Sequence, residues 1–141
     1  MTDARRFAVL GAAGALGAAA LLSGCASGSA GGPEAEAART ALAQLGERII
    51  AEVDGDETHS QEGTVACEQG ADEGVDWTSF TEFDAAGFPE RVGDAEALLV
   101  REGYEVKFGS SPVEFVADGP NGETIVLTDG ELTLFTGCVV G

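Results

Sequence analysis

Apolar residues after Pro33 recur at the spacing of one helical face: Ala38, Leu42, Leu45, Ile49 and Val53 are separated by 4, 3, 4 and 4 positions. Pro33 suits the first helical position, and Glu34 and Glu36 suit the positive end of the helix dipole. Asp54-Gly55-Asp56 ends this helix. Residues 54–74 are polar and glycine-rich and predict a loop, with a short strand at Thr64–Glu68 around Cys67. Val75–Phe83 is rich in β-favouring residues and predicts a strand. Along it Trp77 and Phe83 share one face and Phe80 points to the other, either as a cap or as an exposed aromatic contact. A second helix is predicted over Asp94–Glu102, capped by Asp94 and stopped by Gly103.

Beyond Gly103 the apolar period changes to two. Tyr104, Val106 and Phe108 alternate with polar residues, as do Val113, Phe115 and Ala117; Ile125, Leu127, Leu132 and Leu134 continue the set. Asp129-Gly130 reads as a two-residue hairpin turn. It sets Thr128 opposite Glu131, Leu127 opposite Leu132, Val126 opposite Thr133 and Ile125 opposite Leu134, so that apolar meets apolar. Gly119-Pro120-Asn121-Gly122 forms an earlier turn, where an odd-length loop or a bulge would place Phe115 opposite Ile125. The expected fold is α+β, with two helices on one face of a mainly antiparallel sheet of about five or six strands. Val116, Val126 and Phe135 have the outward parity and form a candidate interaction surface on the face away from the helices, unless residues 54–74 cover it.

The segment ahead of this pattern has a different character. Arg5 and Arg6 precede a stretch from Phe7 to Leu22 that carries no charge. A bilayer-spanning helix needs about 20 apolar residues, so the stretch is short for a permanent anchor and matches a signal peptide. It exits through Leu22-Ser23-Gly24-Cys25, which resembles the bacterial lipobox. That resemblance implies cleavage before Cys25, a diacylglycerol on its sulfur and acylation of the new amino terminus. A single acyl chain holds only marginally, and two or more hold durably. Residues 1–24 are thus read as the leader, 25–32 as the lipidated cysteine and a flexible tether, and 33–141 as one globular domain. The tether reaches on the order of 15 Å. Arg5-Arg6 fits a twin-arginine export signal only loosely, and Sec export stays open.

With Cys25 lipidated, Cys67 and Cys138 remain, and outside the cytoplasm the expected state is a disulfide. The loop it closes, about 70 residues, corresponds to roughly 4 kcal/mol of chain entropy. A zinc site is the alternative, but these cysteines lack CxxC spacing and the chain holds a single histidine, His59. No cofactor is expected. The formal charge is −18, from 7 Lys+Arg against 25 Asp+Glu. Such a charge repels nucleic acid and anionic lipid head groups and favours a soluble monomer.

Asp54-Gly55-Asp56 resembles the start of an EF-hand but has His59 where glycine is required and Val65 where glutamate is required. A weaker surface calcium site there, or at Asp72, Glu73 and Asp76, is the sharper reading of solvated loop acids. His59 has only Thr58 and Ser60 as sequence neighbours, and no GxSxG occurs.

The lipobox, the Ala/Gly-rich leader, the acidic charge and the cysteine near the carboxyl terminus together resemble the small cell-envelope lipoproteins of high-GC Gram-positive bacteria. The stretch "ALLVREGYEVKF", Ala97–Phe108, is similar to a helix-glycine-aromatic-strand junction of that group. The resemblance implies location on the outer face of the cytoplasmic membrane and an architecture; it carries over no catalytic residue. The functional expectation is a non-catalytic, lipid-anchored binding domain for a protein or small ligand. A cell-envelope hydrolase using acidic residues and a structural envelope role are the alternatives.

Overall fold

The computed structural model describes residues 32–141, so the leader, Cys25 and the tether up to residue 31 lie outside the described residues. The elements in chain order are α1 (Gly32–Glu52), β1 (Asp56–Gln69), β2 (Asp72–Asp84), α2 (Phe88–Arg101), β3 (Glu105–Phe108), β4 (Phe115–Asp118), β5 (Thr124–Thr128), β6 (Glu131–Phe135) and β7 (Val139–Val140). All strand pairs are antiparallel, and the sheet order is β1-β2-β6-β5-β4-β3, with β7 pairing beside β6 on β2. The architecture is the expected α+β, with seven strands instead of five or six.

Both helices cover one face. Leu42, Leu45, Ile49 and Val53 of the first periodic set are buried, with Val53 just past the end of α1, and Ala38 is half-buried. They meet Phe115, Ala117, Ile125, Leu127, Leu132 and Leu134 from alternate positions of β4, β5 and β6. α1 approaches the sheet closely at Gly46, where a Cβ would come within 2.7 Å of Leu134 Cδ1. A larger side chain there would push the helix off the strands.

The two helix ends are built alike. Tyr104 N–H donates to the Leu99 carbonyl at 2.9 Å and Gly103 N–H to the Val100 carbonyl at 3.1 Å, with Gly103 at φ 88°. At the end of α1, Gly55 N–H donates to Ile50 at 2.9 Å and Asp54 N–H to Ala51 at 3.1 Å, with Asp54 at φ 54°. This is the left-handed termination by paired carbonyl capture, which satisfies carbonyls the helix cannot.

Three expectations need correction. Residues 54–74 are not a loop with a short strand: Asp56–Gln69 is a 14-residue strand hairpinned to β2 through Gly70. Nor do they cover the helix-free face. α2 begins at Phe88, not Asp94, because Pro89 occupies the first turn and Phe88, fully buried, stacks tilted on Phe83 with centroids 6.0 Å apart. Asp94 lies exposed inside the helix. Phe115 sits opposite Leu127, and Ala117 opposite Ile125. This shift of two residues leaves every side chain on its expected face.

The Asp129-Gly130 hairpin has the expected register throughout, with Gly130 at φ 95° and its carbonyl accepting from Phe83 N–H at 3.0 Å. Cys67 and Cys138 are joined by a disulfide with Cα atoms 5.8 Å apart. The bond staples the tip of the β1–β2 hairpin to the segment that enters β7, and Gln69 Nε2 reinforces it by donating to the Cys138 carbonyl at 3.1 Å.

Candidate functional site

The pairings lay the side chains of the helix-free face in rows. The central row runs Phe80, Thr133, Val126, Val116, Lys107, from β2 across β6, β5 and β4 to β3. The next row runs Thr78, Phe135, Thr124, Asp118, Glu105. On the other side lie Glu82, Glu131 and Thr128. Val116 and Val126 are thus direct cross-strand partners, and Phe135 is diagonal to both Phe80 and Val126, within reach of an aromatic side chain. Phe80, Val126 and Phe135 are half-buried, and Val116 is 40% exposed.

The three residues singled out from parity therefore form one patch, which Phe80 extends. Acids border it: Glu82 and Glu131 on one flank, Glu105 and Asp118 on the other. Lys107 sits between the latter two, 3.6 Å from Glu105 and 3.7 Å from Asp118. Such exposed ion pairs contribute little stability.

On the opposite side of the molecule, a cleft of about 670 Å³ opens between α1, the segment through β7 and the β4–β5 turn. Ala41, Leu45 and Val140 give it an apolar wall, and Arg48, Glu102, Tyr104 and Glu123 gather at its polar end. Arg48 and Glu102 pair at 3.0 Å, and Glu123 accepts from Asn121 N–H at 2.9 Å. Burial, reinforced by the charges of Glu123 and Glu102, pushes the Tyr104 hydroxyl up to about 12. Tyr104 therefore stays protonated at neutral pH and can only donate or accept there as a neutral group. No signal in the sequence marked this cleft, since its residues come from α1, the segment that follows α2, the β4–β5 turn and the segment through β7.

Tyr104 is the only tyrosine, so its ionisation can be followed directly by phenolate absorbance. The folded protein is expected to titrate near 12, above the ordinary value of 10. Because the folded-state value is the higher one, the contribution is fully present below pH 10 and is lost as pH rises toward 12. Tyr104→Phe is expected to remove that alkaline loss of stability in denaturation profiles; an unchanged profile, or a midpoint at the ordinary value, contradicts the burial of the hydroxyl.

A second groove, of about 410 Å³, lies between α1 and the β1–β2 hairpin and is lined by Glu47, Asp56, Glu57, Ser60, Glu62 and Trp77 among others. Trp77 is buried, and its Nε1 finds no hydrogen-bond partner; the same holds for Asp76 Oδ1.

The remaining sequence candidates fall apart in space. His59 is exposed on β1 beside the bulge and lies across from Glu82. Asp72 and Glu73 sit at the exposed start of β2, and Asp54 terminates α1. Among the described residues no group of three or more His, Cys, Asp or Glu could hold a metal ion. No helix among them is long and apolar enough to cross a membrane. Comparison of the chain with protein-family models, with curated proteins and with solved structures finds no match.

Proposed function

We propose that the chain is a non-catalytic binding domain, lipid-tethered through Cys25 to the outer face of the cytoplasmic membrane, whose helix-free sheet face docks a protein partner. The observation that carries this reading is the adjacency of Phe80, Val116, Val126 and Phe135 within a border of carboxylates. An apolar patch on an uncovered sheet face supports an interaction surface. The acidic border and the net charge of −18 select the partner's chemistry: an apolar ridge with a basic rim.

The tether rests on the Leu22-Ser23-Gly24-Cys25 exit after the uncharged run from Phe7. Cys25→Ala is expected to block processing and shift the protein out of the mature membrane-bound form; full membrane retention at the processed mass contradicts the anchor. The docking face is tested by cross-linking in intact cells. Val116→Asp and Phe135→Asp place a carboxylate in the patch without touching the core, so the fold is expected to persist while adducts with a basic protein are lost at least tenfold. Unchanged adducts from folded variants overturn the docking face.

For the hydrolase alternative, carboxylates line the second groove, at Glu47, Asp56, Glu57 and Glu62, and the cleft around Tyr104, at Glu102 and Glu123. There Glu102 already pairs with Arg48 and Glu123 with a backbone N–H, which supports binding over acid–base chemistry.

A further inference from the structure

β1 is a long edge strand. It spans 14 residues, pairs only with β2, and is exposed along both faces except at half-buried Cys67. Its outer backbone groups therefore meet no strand of the described chain. Edges of this kind are normally short, covered or charged, because they recruit further strands. The protection here is of one sign and on one face. From Glu57 onward the face toward α1 carries Glu57, Ser60, Glu62, Thr64, Ala66 and Glu68, while the other carries His59, Gln61, Gly63, Val65, Cys67 and Gln69. The first column holds three acids and the second none. Val65, 66% exposed, sits in the acid-free column.

We infer that the outer edge of β1 is completed by an extended segment of a partner protein, with basic side chains on the face toward α1 and neutral or apolar ones on the other. Strand addition gives main-chain hydrogen bonds, and the alternating side chains give the selection. Basic residues on the added strand would lie beside Glu57 and Glu68 and would share Glu62 with Arg39 of α1, which pairs with it at 3.2 Å, whereas a second copy of this chain would bring a net charge of −18 against the same charge. The Cys67–Cys138 bond holds the far end of the hairpin, so less order has to be created on binding. This surface is an edge and does not depend on the helix-free face.

The test uses the folded, disulfide-bonded domain and an acetylated, amidated seven-residue peptide that alternates lysine with threonine and valine. Amide hydrogen exchange is expected to show new protection in alternate residues of β1 and nowhere else. A peptide of the same sequence N-methylated at alternate positions keeps the charges but cannot pair along that edge, and is expected to bind at least tenfold more weakly. Glu57→Lys with Glu62→Lys and Glu68→Lys is expected to weaken the unmethylated peptide to the same degree, while Val116→Asp leaves it unchanged. Equal binding of the two peptides, protection outside β1, no binding, or β1 amides already protected by dimerisation of the free domain would each overturn the inference.

Discussion

Phe115→Ala is expected to cost about 3–5 kcal/mol of folding stability. Phe115 is 1% exposed, stands opposite Leu127 on the helix-facing side of β4, and meets Phe108 edge-on at 5.7 Å. Truncating it opens a cavity beneath β4 in the core cluster, and close-packed surroundings relax into such a cavity only in part. The next residue supplies the control. Val116 points to the opposite face, and Val116→Ala is expected to change stability by about 0.5 kcal/mol or less. Denaturant unfolding of both variants reads the difference directly. Similar costs at the two positions would mean that β4 does not present its faces as described.

Opening the disulfide has the second large effect. Cys67 and Cys138 are 71 positions apart, and a loop of that length corresponds to about 4 kcal/mol in the chain-entropy model, with 2–5 kcal/mol typical on removal. The loss is expected to be uneven. No residue of β1 belongs to the central core cluster, so its attachment rests on β2, on this bond and on the exposed Arg39–Glu62 pair to α1. Reduction, or Cys67→Ser with Cys138→Ser, is expected to lower the unfolding midpoint and to speed amide exchange first in β1 and β7. Uniform exchange across the sheet after reduction would contradict this division of the fold into a core and a stapled wing.

The legible parts of the fold are those where two independent signals agree. At Asp129-Gly130 the turn residues and the period-two pattern require the same register, and the register follows. The end of α2 was legible because Gly103 takes the left-handed conformation that a helix stop demands. β1 was not legible. Both its faces meet solvent, so nothing forces alternation on "DETHSQEGTVACEQ", and a polar run reads as a loop. The start of α2 was missed because Asp94 imitates a cap, while the true anchor is the burial of Phe88, a tertiary effect that local signals do not carry.

The candidate site divides in the same way. Val116, Val126 and Phe135 were placed on one face by parity alone. Phe80 joined them only once β2 was seen to pair with β6. The cleft around Tyr104 depends on elements distant in sequence, and spacing contains no trace of it.

The most direct test of the proposed function is site-specific photo-cross-linking in intact cells, with the probe placed singly at Val116, Val126 and Val100. Val100 is 57% exposed on α2, on the opposite side of the sheet, and serves as a control for exposed apolar positions. Probes at Val116 and Val126 are expected to yield the same adduct with a basic protein, while the probe at Val100 yields none. Equal labelling from all three positions, or none from Val116 and Val126, would contradict a docking surface on the helix-free face.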